Sequence, residues 1–462
     1  MVAAKRIAVL DIGKTNAKVV LFDADRGEEV AVRSRRNTSI QGIYRHYDVD
    51  GLWDFVCDAL RDLNSEIGID AISITTHGAC FALLADDGSL ALPVMDYEDT
   101  APDSLDAEYR KARPPFRETG SPRLPMGLNA GAMIHWQAKT QAEGFSRTRW
   151  IVPWPQYWAF RLTGIISSEA TSLGVHTDLW NPGDARFSSL VTVMGWEGLM
   201  PPVRSARDIL GPVMPSIAER LGFLKPVLVH SGLHDSNASL LPHLLVRKPP
   251  FSVISTGTWV VTLSVGGRDV ALDETRDTLI NVNALGDKTP SARFMGGRAF
   301  ELLMPEGTVS VSDADRARIL AEKIMVLPSF PEGSGPYPDL KGQWLGDAAT
   351  AGERQYAVSL YLALMAETSR QLVGAEGDTI VEGPFAANRD FLAMLAALTG
   401  RQPVASQSRM TGTSFGAACL ALDGAPLRLD GGESAVVEPD PALLAYAKAW
   451  RDEIRKREGE AS

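Results

Sequence analysis

One pattern occurs twice in this chain and constrains its fold more than any other: paired apolar runs around a tight turn, a helix, then a buried strand ending in a polar turn. Residues 6–13, RIAVLDIG, form a short run rich in β-branched residues, and NAKVVLFDAD repeats the signal after a polar break, which reads as a β-hairpin. Residues 252–265, SVISTGTWVVTLSV, keep the same order, with Gly257 standing where Gly13 stood. The spacing of Leu52, Phe55, Val56, Ala59, Leu60 and Leu63 predicts a helix over 51–67, and 354–376 reads likewise. Each helix precedes a strand, in DAISITTHG at 70–78 and DTIVEGPFA at 378–386. Two related α/β domains are therefore expected, 1–245 and 246–462, because Pro249 and Pro250 interrupt periodicity just before the second hairpin. The Gly- and Pro-dense stretch 327–346 reads as a surface loop or a cleft rim.

A length of 462 residues agrees with two cores of ordinary size. A net charge of -11, without a long Lys/Arg cluster, disfavours nucleic-acid binding. Cys57, Cys80 and Cys419 lie far apart with no CxxC pair, so a reducing cytoplasm is the expected compartment. No uncharged apolar run reaches about 18 residues, which excludes a helical membrane span on length.

GKT at 13–15 looks like the end of a P-loop, but Ala8 stands where that motif needs Gly, and no GxGxxG occurs anywhere. What remains is the two turns DIGKTN, 11–16, and STGTWV, 255–260. Each combines a Gly that admits close backbone approach with Thr hydroxyls and exposed N–H groups, a way for turns to hold phosphate oxygens. One such turn alone reads more simply as a hairpin; the pair at equivalent places in a repeat favours phosphate. Asp11, beside the first turn, suits a hydrated Mg²⁺ or a turn cap. Asp235 in GLHDSNAS stands at the opening of a helix, where its plain reading is an N-cap. His234, a single histidine, makes no metal site.

Taken together, DIGKTNAKVVLFD, WIVPWPQYWAFRLTG, SSEATSLGVHTDLW, GLHDSNAS, STGTW, VEGPFAANRDFLAMLAALTGRQPV and TGTSFGAACLA resemble, in order and spacing, the FGGY carbohydrate kinase family. The resemblance implies two ribonuclease-H-like domains of the actin-like ATPase fold, with ATP and sugar in a cleft between them. It makes Asp235 the catalytic base and associates Asp11 and Asp235 with Mg²⁺. It places ATP phosphates at Gly13, Lys14, Thr15, Asn16, Thr256, Gly257 and Thr258, and adenosine at Gly383, Pro384, Asn388, Gly416 and Ala417. Sugar contacts fall on His77, Gly78, Asp96 and Asp235. Lys14 in GKTN, Met133 in NAGAMIHWQAK and the stretch FMGGRAFELL depart from the common pattern and set the chain outside the glycerol and xylulose groups.

The chemistry so implied is transfer of a phosphoryl group from ATP to a small ketose or polyol, with L-fuculose, L-rhamnulose or a xylulose-type sugar as first candidates. Trp154 and Trp158 read either as flat faces for the sugar or as core residues. The expected partner is the small-molecule sugar, with a homodimer left open. The competing readings are an actin-like ATPase and a catalytically inactive sugar-binding module.

Overall fold

In a computed structural model of the chain, residues 4–406, 412–422 and 440–461 are described. They divide into two compact units: Met1–Val246 with Ile280–Lys288 and Arg409–Arg428, and Arg247–Leu279 with Thr289–Ser408 and Leu429–Ser462.

The first unit is built on a mixed sheet. Strands β1 (Arg6–Ile12), β2 (Asn16–Asp23) and β3 (Glu28–Arg36) form an antiparallel meander. Helix α1 (Val49–Glu66) leads into β4 (Ala71–Thr76), which lies parallel to β1. β5 (Ile209–Pro212), β6 (Leu228–His230) and the short β7 (Leu233–His234) complete the sheet in the order β5-β6-β4-β1-β2-β3, with β7 also pairing β4. The local reasons are simple. Asp48 accepts the Gly51 N–H and starts α1, and Leu52, Val56, Leu60 and Leu63 recur on one face and are buried against the sheet. β1 is buried on both sides from Ile7 to Ile12, as a central strand with a parallel neighbour requires. Chain continues from β7 into α2 (Asp235–Val246).

The second sheet repeats the plan. β8 (Phe251–Thr256) and β9 (Val260–Val265) form the hairpin, β10 (Thr278–Val282) and β11 (Lys288–Phe294) extend it, and α3 (Gly296–Leu303) follows. α4 (Ala351–Leu372) leads into β12 (Asp378–Glu382), parallel to β8, then α5 (Arg389–Thr399) and β13 (Val404–Ser406). The order β10-β11-β9-β8-β12-β13 matches the first sheet from its meander through the parallel strand. α4 starts three residues before the predicted 354 because Thr350 and Glu353 form a capping box. The stretch 327–346, read as loop, ends in a strand, Gln343–Leu345, paired with Met325–Leu327.

Trp154 and Trp158 are wholly buried in the first unit's core, where Trp154 stacks on Tyr157 at 5.2 Å between centroids. Of the two readings offered for them, the core one holds. No helix among the described residues is long and apolar enough to cross a membrane.

Candidate active site

Three loops of the first unit meet at the carboxyl ends of its parallel strands: the turn after β1, the His77–Gly78 turn after β4, and the start of α2 after β7. Asp235 is the first residue of α2 rather than its cap. Its Oδ1 accepts the Ser236 N–H at 2.6 Å and lies 3.2 Å from His234 Nε2, while 30% of the side chain stays open. Burial raises its pKa to about 6; the neighbouring His77 lowers it and the negative charge of Asp11 raises it. Burial pushes both His77 and His234 down to about 4, so these rings are neutral near pH 7.

His77 sits between Tyr47 and Tyr97, with centroids at 5.3 and 5.4 Å. Its Nδ1 donates to the Gly78 carbonyl at 3.0 Å, which leaves Nε2 as a buried acceptor without a hydrogen-bond partner among the described residues. A neutral acceptor ring framed by two tyrosines suits a sugar hydroxyl. Tyr47 and Tyr97 carried no signal of this in the sequence, since both lie outside the quoted motifs.

Asp11 lies one residue inside β1, not at its end. Its Oδ2 accepts hydroxyl hydrogen bonds from Thr413 and Ser414, both at 2.8 Å. The short helix Thr413–Ala418 that carries them packs on α2 so tightly that a Cβ on Gly416 would stand 1.7 Å from the Ala238 carbonyl oxygen. Ala417 is also buried, and its carbonyl accepts from Ser73 at 2.6 Å. Gly416 and Ala417, expected with adenosine in the second domain, thus pack within the first unit, Gly416 on α2 and Ala417 on β4. Thr411 of TGTSFGAACLA lies outside the described residues.

Lys14, expected on phosphate, pairs instead with Asp96 at 2.5 Å and Glu98 at 3.3 Å, its ammonium over the rings of Tyr47 and Tyr97. Asp96, expected on sugar, is fully buried and also meets Arg45 Nε at 3.0 Å. Burial would raise its pKa, but the Glu98 N–H and Lys14 outweigh that and hold it below the usual carboxylate range. Reading residues singly could not reveal this pair, whose members are 82 positions apart. Gly13 donates its N–H to Asn16 O at 2.9 Å to close the turn, and Thr15 and Asn16 are exposed.

The second unit's turn is one residue tighter, with Gly257 N–H donating to Trp259 O at 3.0 Å and Gly257 and Thr258 exposed. Thr256 is different. Its hydroxyl donates to the Glu382 carbonyl at 2.5 Å and accepts the Phe385 N–H at 3.1 Å, so it clamps the loop after β12 rather than offering itself to phosphate. Gly383 in that loop has φ 79° and would place a Cβ 2.0 Å from Thr256 O, which only glycine avoids. Pro384 opens a single 3₁₀ turn beside it. Asn388 caps α5 through the Phe391 N–H at 3.0 Å and donates one of its two amide hydrogens to Ser359 at 2.9 Å.

The family pattern of the N-terminal domain of FGGY carbohydrate kinases matches residues 6–242, and that of the FGGY C-terminal domain matches residues 248–428. The chain belongs to the FGGY family of carbohydrate kinases. This FGGY chain is also similar to a carbohydrate kinase from Novosphingobium aromaticivorans of known structure, at 35% identity and TM-score 0.88, over 98% of this chain and 99% of that one. It is 27% identical to a xylulose kinase from Streptomyces rubiginosus and 23% identical to an L-fuculokinase from Salmonella typhi. Those matches take in 61% and 57% of this chain, which spans 59% and 57% of the two relatives' lengths.

Proposed function

We propose that this FGGY chain transfers the γ-phosphoryl group of ATP to a hydroxyl of a small ketose, with Asp235 as the base. The observation that carries the proposal is the Asp235 carboxylate itself: one oxygen is tied by the Ser236 N–H and hydroxyl, the side chain is partly open, and its pKa is raised to about 6 by burial and Asp11. The acceptor oxygen attacks phosphorus, its proton passes to Asp235, the bond to the β-phosphate bridge breaks and ADP departs. His77 Nε2 receives another hydroxyl of the sugar. The exposed residues Thr15 and Asn16 of the first turn and Thr258 of the second suit phosphate oxygens. The similarity to L-fuculokinase and xylulose kinase supports a ketose of five or six carbons, L-fuculose, L-rhamnulose or a xylulose among them.

Mg²⁺ fits the donor set in one particular way. No group of three or more His, Cys, Asp or Glu side chains able to hold a metal occurs among the described residues, so an all-protein cage is absent there. Asp11, with one oxygen anchored by two hydroxyls, and Asp235 suit an ion that keeps most of its waters and takes the rest of its shell from phosphate. Bound there, the ion would neutralise charge on the phosphates.

A panel of ketoses and polyols, assayed for ADP release with Mg²⁺ and ATP, tests the proposal. Turnover should require one or a few of these sugars, and an equal rate with all of them and with none would defeat it. Asp11→Ala should raise the Mg²⁺ concentration needed for half-maximal turnover by roughly tenfold or more. An unchanged magnesium dependence would remove Asp11 from that role.

A further inference from the structure

The segment SSEATSLGVHTDLW has no part in the chemistry described so far, yet it reaches the base through a buried chain of hydrogen bonds. Glu169, only 2% exposed, accepts the N–H groups of Thr171 and Ser172 at 2.9 and 3.2 Å. It also takes the Thr171 hydroxyl proton at 2.5 Å. With its proton committed to Glu169, the Thr171 oxygen can only accept, and it receives the backbone N–H of His234 at 2.9 Å. The residue immediately before Asp235 is thereby fixed from a segment more than sixty positions away.

The His234 ring is fixed as well. It is 6% exposed and fills the space that a side chain on residue 78 would take, since a Cβ there would stand 2.8 Å from His234 Nε2. Asn237 Nδ2 faces Nδ1 at 3.4 Å and can only donate to it, which assigns the ring proton to Nε2. Nε2 stands 3.2 Å from Asp235 Oδ1. Oδ1 already accepts the Ser236 N–H and hydroxyl at 2.6 and 3.3 Å, and the Nε2–H of His234 lies within reach of the same oxygen, with Oδ2 outside these contacts.

We infer that His234, held by Thr171 and Glu169 behind it and by Asn237 at its other nitrogen, is a positioning residue that donates to Asp235 Oδ1 and so dedicates Oδ2 to the acceptor hydroxyl. The inference rests on Asp235 being the base. A carboxylate free to turn about its last torsion would present either oxygen at varied angles, whereas two donors on one oxygen fix the plane and the lone pairs of the other.

Three variants and one spectrum test it. His234→Phe should keep the KM for sugar and for ATP within about threefold and lower kcat by roughly tenfold or more, because only alignment in the transition state is lost. His234→Gln, which restores an N–H, should recover much of that kcat. In ¹⁵N-histidine spectra of the unliganded wild-type protein, His234 should appear as the Nε2–H tautomer, a readout that needs no variant to fold. An Nδ1–H tautomer, a wild-type kcat in His234→Phe, or a loss confined to KM would overturn the inference. Asp235→Asn separates the two levels. If it is inactive while His234→Phe matches wild type, only the positioning role falls; if it stays active, the base assignment falls first.

Discussion

Asp235→Asn is expected to lower kcat by at least about 10²-fold while making the ligand-free protein more stable at pH 7. Asparagine keeps the size of the side chain and an oxygen for the Ser236 donors, but it takes no proton from the acceptor hydroxyl. The stability change has the opposite sign for a physical reason. The carboxyl titrates near 6 in the folded protein against an ordinary 3.8, so between those values the folded state binds the proton more tightly than the unfolded chain does. Stability contributed by this group is therefore present at low pH and lost as pH rises through about 6. At pH 7, in metal-free buffer, the ionised group costs roughly 1–2 kcal/mol, which the neutral amide removes. A melting temperature a few degrees above wild type, beside nearly abolished turnover, is the expected pair of results. Near wild-type kcat would sink the base assignment, and a lowered melting temperature would show that neighbouring donors already compensate the charge. By the same reasoning, wild-type kcat should fall as pH drops below about 6.

Gly416→Ala should be the most damaging single-methyl change in the first unit. The new Cβ would meet the carbonyl oxygen of Ala238 at 1.7 Å and its carbon at 2.4 Å, and both are backbone atoms of α2 that cannot rotate aside. The helix Thr413–Ala418 has to move away from α2. Overpacking of this kind costs up to about 3 kcal/mol, occasionally more, which corresponds to a melting temperature lowered by roughly 3–5 °C for a unit of this size. The displacement also draws the Thr413 and Ser414 hydroxyls off Asp11, so residual activity at permissive temperature should need more Mg²⁺. Unchanged stability and magnesium dependence would mean that the two helices can separate at no cost, contrary to their packing.

The sequence displayed the fold because its signals are local and repeated. β1 and β2 are legible in RIAVLDIG and NAKVVLFDAD, α1 in its apolar spacing, and the related sheets in the recurrence of that order. The candidate site was legible only where a residue could be read from its own turn or helix start, as Asp11, His77 and Asp235 could. It was not legible where a side chain's partner is remote. Lys14 reads as reaching phosphate or solvent, and its pairing with Asp96 is invisible in the sequence; so are the Ser359 and Phe391 N–H partners of Asn388. Thr413 and Ser414 reach Asp11 across some four hundred positions, a pairing that no spacing rule encodes. His234 looked idle as a lone histidine, and its meaning comes from Thr171, Gly78 and Asn237 around it.

The central claim is that Asp235 hands an activated sugar hydroxyl to ATP, and following the γ-phosphoryl group itself tests this most directly. With γ-labelled ATP, Mg²⁺ and the sugar that supports turnover, the label should appear in a sugar phosphate, with inorganic phosphate a minor product, and Asp235→Asn should abolish that transfer. Label released as inorganic phosphate at the same rate with and without sugar, or sugar phosphate formed at the wild-type rate by Asp235→Asn, would contradict it.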